Sequence, residues 1–220
     1  MVIGFAPYTT VKPFQTLIYK ILALEYMSHA TVAASSTGLR YPLTCVGTNL
    51  SYRKSIYLDL GGFGRFRSYH SGDDDLFMQR VRDESDWKIR YSFSPDSHVP
   101  NAPPVSWEQF LNQRLRYASK GFFYPFPVTL SLFVYFLFSI FLIIVPVFFQ
   151  LNTDIIVLYL AGWLLKILFE FSLLYRFSSY TETRKLLRVF PLAMLLHVPY
   201  VVFFGLFGPM IKYKWAGRYK

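Results

Sequence analysis

The sequence predicts a mixed α/β part at residues 1–121, followed by an α-helical membrane region with two to three transmembrane helices at residues 122–220. The chain is 53% hydrophobic and only 16% charged, whereas globular proteins average about 45–50% apolar and about 25% charged residues. Most acidic residues precede residue 110, and most long apolar runs follow residue 120. This uneven distribution indicates a soluble part joined to a membrane part.

Three segments of the second part are long and apolar enough to cross a bilayer, which takes about 20 residues. We expect membrane helices at residues 128–149, 155–175 and 189–210. The second contains Lys166 and Glu170, which are four residues apart and so share a helix face on which they can pair. Such groups at mid-membrane are costly and often functional, but this pair can also serve only to neutralise its own charges against a neighbouring helix.

The loops suggest an orientation for these helices. The net charge of +10 is compatible with nucleic acid or with an anionic membrane, and the apolar content favours membrane lipids and no nucleic acid as partner. The basic segment 176–188 is expected in the cytoplasm together with the soluble part. Three full crossings would put the basic tail at residues 211–220 outside. Either the third segment, rich in proline and glycine, lies in the interface or re-enters, or an upstream crossing is missing from the chain.

Local patterns divide the soluble part into short elements. Apolar spacing predicts a helix that starts near Pro13, and a shorter helix should run from Ser55 to the glycines of the "GGFG" turn at 61–64. A strand is expected near Trp87, before a proline-rich loop. The single cysteine, Cys45, excludes an internal disulfide and a multi-cysteine zinc site.

An amphipathic helix is predicted at about 106–120, just before the first membrane segment. Ser106 and Gln109 form a capping-box pattern, and Gly121 is suited to end the helix. Trp107, Phe110, Leu111, Leu115 and Ala118 give its apolar face, with Gln113, Arg114 and Arg116 as the polar complement. We expect this helix to lie along the cytoplasmic membrane interface.

Three consecutive aspartates, Asp73, Asp74 and Asp75, precede an apolar run and allow three interpretations. Acids are favoured at a helix N-terminus, so the triplet can be a plain helix start. Hard oxygen ligands suit Mg²⁺ or Mn²⁺, although adjacent side chains rarely converge on one ion. A carboxylate among like charges has a raised pKa and can serve as a general base.

Four motifs in order resemble the membrane-bound family 2 glycosyltransferases, the inverting type related to cellulose and hyaluronan synthases. "CVGTNLSYRKS" and "LGGFG" are similar to the family segment G-x-N-x-x-x-R followed by GGF, which lines the acceptor side. "GDDDL" resembles the element that carries the catalytic base, and the spacing to Leu76 puts Asp73 on the base position, with Asp74 as the runner-up. "QRLRY" resembles Q-x-x-R-W at Gln113 and Arg116, with Tyr117 in the tryptophan position.

The resemblance implies that the first part is a remnant of a GT-A, Rossmann-like glycosyltransferase domain. It implies an enzyme that transfers a sugar with inversion from a nucleotide-sugar donor to a lipid-linked or polysaccharide acceptor, at the cytoplasmic face of a bacterial inner membrane. The implied catalytic residues are Asp73, Asp74 and Asp75. The implied substrate-binding residues are Gly47, Thr48, Asn49, Gln113, Arg114, Arg116 and Tyr117.

One departure from the family concerns the donor side. The family binds its nucleotide sugar and a divalent metal, Mg²⁺ or Mn²⁺, through an upstream Asp-x-Asp that this chain does not contain. We therefore expect the chain to be the C-terminal portion of a longer enzyme. The rival expectation is a small membrane protein without enzymatic activity, either transporter-like or a scaffold subunit.

Overall fold

The structure is a computed structural model that describes residues 1–9, 16–64, 72–119, 121, 124–148, 152–215 and 218–219. Helices make up most of it. The helices are α1 Leu17–Gly38, α2 Lys54–Asp59, α3 Asp73–Glu84, α4 Trp107–Ala118, α5 Phe126–Phe148, α6 Thr153–Tyr180 and α7 Phe190–Phe207. The strands are β1 Val2–Gly4, β2 Leu50–Ser51, β3 Arg90–Ser92, β4 Lys214–Trp215 and β5 Arg218–Tyr219.

These elements form two compact units. The first comprises Met1–Pro103 and Ser172–Phe190, and the second comprises Pro104–Phe171 and Pro191–Lys220. Helix α6 contributes its last turns to the first unit and the rest to the second, and α4 belongs to the second unit.

A small three-stranded sheet lies in the first unit, with β1 in the middle. β1 pairs antiparallel with β2 and parallel with β3. Parallel strands need a long crossover connection, and the chain between β1 and β3 carries α1, α2 and α3. The main core cluster is built from this sheet and these helices; its buried members are Met1, Ile3, Ala33, Cys45, Ile56, Phe77, Met78 and Val81.

The structure contains the two helices, the strand and the glycine turn that the sequence predicted for the first unit. The helix expected near Pro13 is α1, and it begins at Leu17 because Thr16 accepts a hydrogen bond from the amide of Tyr19; Pro13 itself lies outside the described residues. The short second helix and the strand after Trp87 are present as α2 and β3. The predicted glycine turn is also present, and Arg80 of α3 donates to the carbonyls of Leu60 and Gly62.

The predicted amphipathic helix of the second unit is α4. Ser106 caps it by accepting from the amide of Gln109 at 3.1 Å, while the Gln109 side chain accepts from the amide of Val105. The expectation that Gly121 ends this helix is wrong, because α4 already ends at Ala118, where the Ser119 amide donates back to the carbonyl of Leu115.

Within the described residues, three helices are long and apolar enough to cross a membrane: Phe126–Val147, Thr153–Tyr180 and Arg184–Phe207. They correspond to the three predicted membrane segments. The third begins with a 3-10 helix at Arg184–Val189 and continues as α7. α5 and α7 pack closely, because a Cβ at Gly205 would lie 2.6 Å from the ring of Phe136.

Candidate functional site

The aspartate triplet forms the first turn of α3. Gly72 precedes it with a φ of 83°, a left-handed conformation that glycine adopts without steric cost. The exposed amides of a helix start favour negative charge, so three adjacent carboxylates are tolerated here. The structure gives each of the three carboxylates a different environment.

Asp75 is buried, with 5% of its surface exposed. Its Oδ1 accepts a hydrogen bond from the Thr44 hydroxyl at 2.9 Å and another from the amide of Cys45 at 2.7 Å. A buried carboxylate is stable only when donors replace the water that it loses. Asp75 therefore acts as a structural tie between α3 and the segment that leads into the Gly47–Asn49 turn.

Asp74 binds the same segment at Gly47, two residues after Cys45. Its Oδ2 accepts from the amide of Gly47 at 2.8 Å, and its Oδ1 accepts from the amide of Asp75 at 2.9 Å. A Cβ placed on Gly47 would lie 2.9 Å from Asp74 Oδ2, closer than real Cβ contacts. The close approach therefore requires glycine at position 47. Two motifs that are far apart in sequence, the Gly47–Asn49 segment and the aspartate triplet, are brought together here.

Asp73 is the exposed member of the triplet. In the part of the chain that the structure describes, its carboxylate makes no hydrogen bond or ion pair, in contrast to its two neighbours. Its oxygens are available to a molecule from solvent. Of the three aspartates, Asp73 is thus the one most open to solvent.

Tyr52 is a neighbour of this site that sequence reasoning missed. Its ring packs on Phe77 of α3 at 4.9 Å between centroids, and 37% of its surface stays exposed. Burial raises the pKa of Tyr52, and electrostatic interactions with nearby Tyr57 and Asp73 raise it further. The signal was available in the motif, where Tyr52 directly precedes the arginine of the G-x-N-x-x-x-R pattern.

Asn49 and Thr48 lie in the same turn but differ in their contacts and exposure. The side-chain amide of Asn49 donates to the carbonyls of Phe5 and Ser97, at 2.8 Å each. It therefore connects the end of β1 to the 3-10 helix Pro95–Ser97. Thr48 is exposed. Asn49 thus supports the turn, whereas Gly47 and Thr48 form its accessible surface.

The four predicted substrate-binding residues of α4 belong to the second unit. Arg114, which the sequence placed in the polar complement of this helix, is buried, with only 1% of its surface accessible. Its guanidinium donates to the side chain of Gln113 at 3.1 Å and lies over the rings of Phe110 and Tyr117, at 5.2 and 5.5 Å. The guanidinium of Arg116 lies over the same Tyr117 ring at 5.1 Å. Stacking on aromatic rings lets a long cationic side chain enter an apolar environment.

The apolar face of α4 is only partly covered. Trp107 is 70% exposed and Leu111, one turn later, is 40% exposed, whereas Leu115 is buried. Side chains of this type on an amphipathic helix suit a headgroup-level position in a membrane.

A second polar cluster joins the three long apolar helices. Lys166 of α6 forms an ion pair with Glu170, and its ammonium also donates to the hydroxyl of Tyr135 on α5 at 2.8 Å. The Tyr135 hydroxyl donates to Glu170 Oε1 at 2.8 Å and lies 3.3 Å from Nδ1 of His197 on α7. The predicted Lys166–Glu170 pair is confirmed, and the contributions of Tyr135 and His197 were not foreseen.

The structure therefore groups the predicted residues in two sets. Gly47, Thr48 and Asn49 lie with the three aspartates in the first unit, while Gln113, Arg114, Arg116 and Tyr117 lie in the second. In the described residues, no group of three or more His, Cys, Asp or Glu side chains is placed to hold a metal ion. Comparisons with protein-family models, curated proteins and solved structures found no match to the chain.

Proposed function

We propose that the chain is the acceptor-side part and membrane region of an inverting glycosyltransferase, a remnant of a GT-A domain joined to membrane helices. The observation that carries this proposal is the hydrogen bond from the Gly47 amide to Asp74, together with those from Thr44 and Cys45 to Asp75. These bonds bring together two motifs that the glycosyltransferase resemblance assigns to one site. They also leave Asp73 exposed at the start of α3.

Asp73 is the proposed general base. Its carboxylate takes the proton of an acceptor hydroxyl, and the hydroxyl oxygen attacks the anomeric carbon of the donor sugar from the opposite face. The bond from that carbon to the nucleotide diphosphate breaks, and the diphosphate leaves with the bonding electrons. A base of this kind contributes about 10²–10⁴-fold to rate. Asp74 and Asp75 keep the start of α3 on the Gly47 segment and so position Asp73.

The residues of α4 are proposed to bind substrate. Gln113 and Arg116 offer charge-assisted hydrogen bonds to the diphosphate, and Tyr117 offers an aromatic face to a sugar ring. The guanidinium of the buried Arg114 also lies over that ring. The described residues do not fit a divalent metal, because Asp74 and Asp75 are engaged by backbone amides. No step of this mechanism passes through a metal.

The proposed setting is a bacterial inner membrane, with the first unit in the cytoplasm. The donor would be a nucleotide sugar, and the acceptor would be a lipid-linked glycan or a polysaccharide of the cell envelope. The exposed Trp107 and Leu111 support a position of α4 at the membrane interface.

Sugar transfer by membranes that contain the full-length enzyme, with its donor-binding part, tests this proposal. Such membranes are supplied with radiolabelled UDP- and GDP-sugars, and label in lipid and polymer fractions is measured. We expect Asp73→Asn to abolish transfer to the acceptor while binding of the nucleotide sugar persists. Asp96→Asn changes an exposed aspartate of the Pro95–Ser97 turn and should retain activity. Wild-type transfer by Asp73→Asn would overturn the base assignment.

The Lys166–Glu170–Tyr135–His197 cluster favours a second candidate function. A transporter-like or scaffold membrane protein without enzymatic activity would use polar groups inside its helices, and three helices contribute to this cluster. In that case the aspartate triplet would be only a helix start. Equal sugar transfer by membranes with and without the protein would favour this candidate.

A further inference from the structure

Helix α6 returns the chain to the side on which α5 begins. A Cβ at Gly162 of α6 would lie 3.5 Å from the ring of Phe138, and Lys166, one turn later, bonds Tyr135, which is nearer the start of α5. The two helices are therefore antiparallel. At about 1.5 Å per residue, α6 reaches the level of Phe126, the first residue of α5, about nine residues after Lys166. The chain therefore enters α7 from the side on which α5 begins.

α7 does not advance along α5 as a crossing helix would. Nδ1 of His197 lies 3.3 Å from the hydroxyl oxygen of Tyr135. Gly205 follows eight residues later, so in a helix that crossed beside α5 it would lie about 12 Å further on, level with about residue 143. A Cβ at Gly205 would instead lie 2.6 Å from the ring of Phe136, the residue next to Tyr135. Pro199 lies between His197 and Gly205, and a proline inside a helix favours a bend.

The end of α7 contacts α4, the helix that precedes α5 in the chain. The ring of Phe204 lies 6.2 Å from that of Phe110. Gly208 packs directly on Ala118, the last residue of α4, since a Cβ at position 208 would overlap the methyl group of that alanine. The amide of Lys214 then donates to the side chain of Asn112 at 2.6 Å. The chain thus leaves α7 beside α4, which is joined to the start of α5.

The segment that follows α7 is basic. Residues 208–220 contain four Lys or Arg and no Asp or Glu, and α4 adds two arginines and one glutamate. Lys212 and Lys214 are exposed, and just before them Met210 and Ile211 are 77% and 43% exposed. Apolar side chains next to exposed lysines suit the headgroup level of an anionic leaflet, where the lysines meet lipid phosphates.

We propose that α7 is a re-entrant helix, which enters the membrane and leaves it on the side of α4, and that the basic tail binds anionic lipid headgroups on that side. Of the three long apolar helices in the described chain, α5 and α6 then cross the membrane. The tail and the basic segment 176–188 therefore face the same compartment, as their charge favours. The proposal depends on neither candidate function.

Labelling of single cysteines with a membrane-impermeant maleimide tests the side of the tail. Ile211→Cys keeps every lysine of the tail, Lys185→Cys marks the side on which α7 begins, and Asn152→Cys marks the other side; all three positions are exposed. In sealed vesicles of both orientations, we expect Ile211→Cys to react together with Lys185→Cys and to be protected when Asn152→Cys reacts. The wild type gives the background, because its single cysteine, Cys45, is buried. Reaction of Ile211→Cys together with Asn152→Cys would overturn the proposal.

A protease-cleavable tag after Lys220 gives the side of the tail if residue 211 lies too close to the lipid to react. The protease should cut this tag in the vesicles in which Lys185→Cys reacts. Cutting in the vesicles in which Asn152→Cys reacts would mean that α7 crosses the membrane.

Native mass spectrometry of the protein with phosphatidylglycerol tests the lipid contact. The double variant Lys212→Gln with Lys214→Gln keeps the backbone amide that bonds Asn112. Loss of one lysine near an anionic leaflet weakens the attraction about 5-fold, so we expect phosphatidylglycerol to bind at least about 10-fold more weakly and phosphatidylcholine to bind as before. Lys54→Gln with Lys88→Gln removes two exposed lysines of the first unit and is the matched control. Equal binding of phosphatidylglycerol by the wild type and the tail variant would refute the lipid contact.

Discussion

The backbone amide of Gly47 donates a 2.8 Å hydrogen bond to the carboxylate of Asp74, which lies 27 positions later in the chain. The contact is possible because position 47 has no Cβ, and it fixes the start of α3 against the Gly47–Asn49 turn. Asp73 is held next to this contact as the first residue of α3. The position of the proposed base, Asp73, therefore depends on Gly47 and Asp74.

Gly47→Ala should destabilise the first unit and move the start of α3. The new methyl would lie 2.9 Å from Asp74 Oδ2, so the Asp74 side chain, the turn or the helix start must shift, and the hydrogen bond from the amide of residue 47 weakens. Overpacking of this kind costs about 1–3 kcal/mol. Thermal unfolding in detergent measures the loss.

Gly38→Ala provides the control for that change. Gly38 is the last residue of α1, and nothing lies within 4 Å of the position of its Cβ. Alanine is favoured over glycine in a helix by about 0.5–1 kcal/mol, so this variant should be at least as stable as the wild type. Equal stability of Gly47→Ala and Gly38→Ala would contradict the close contact at Gly47.

Asp75→Ala and Asp73→Ala should separate stability from activity. Removing Asp75 leaves the Thr44 hydroxyl and the Cys45 amide without their acceptor in a buried place, which costs about 1–3 kcal/mol. Removing the exposed Asp73 costs at most about 1 kcal/mol of helix-dipole interaction. Urea unfolding gives both values; a larger loss in Asp73→Ala than in Asp75→Ala would contradict this division of roles.

Helical periodicity and capping patterns predicted most of the fold. Ser106 and Gln109 marked the start of α4, and long apolar runs marked α5 to α7. These signals are local, so one sequence suffices to read them. The small sheet was less visible, because β2 has only two residues and its pairing with β1 joins distant parts of the chain.

The candidate site was only partly predictable. The motif order placed the aspartates and Gly47 in one site, and the spacing to Leu76 favoured Asp73 as the base. It could not predict the burial and the partners of the three carboxylates, because these depend on tertiary contacts. Arg114 was expected in the polar complement of α4, but it is buried and its guanidinium lies over two rings of its own helix. Tyr135 and His197 lie on helices other than that of Lys166, and helical spacing carries no information about such neighbours.

The stability of the first unit should fall in mild acid because of His98. Burial lowers the pKa of His98, and the charge of Glu182 opposes this only in part. The folded state then binds the proton less readily than the unfolded chain. The stabilisation is complete above the ordinary histidine pKa of about 6.5 and is lost as pH falls from there toward the lowered pKa. Thermal unfolding between about pH 7.5 and 5.5 shows this slope.

His98→Phe should flatten that slope. Phenylalanine keeps an aromatic edge against Phe5, whose ring lies 5.2 Å from that of His98, and it cannot bind a proton. The midpoint of unfolding should then vary less between the two pH values. An unchanged slope in His98→Phe would assign the acid sensitivity to other groups.

The Lys166–Glu170 pair should show strong non-additivity. Lys166→Met leaves the Glu170 carboxylate with Tyr135 as its remaining donor in the described structure, and breaking a buried pair costs about 3–5 kcal/mol. The double variant Lys166→Met with Glu170→Met removes both charges and should recover most of that loss, because no uncompensated charge remains. Unfolding by SDS in mixed micelles, followed by circular dichroism, measures each step.

Lys185→Met removes an exposed lysine from the 3-10 helix Arg184–Val189 and should change stability by less than about 0.5 kcal/mol. A double variant as unstable as Lys166→Met alone would mean that the ammonium stabilises the helices through contacts other than Glu170.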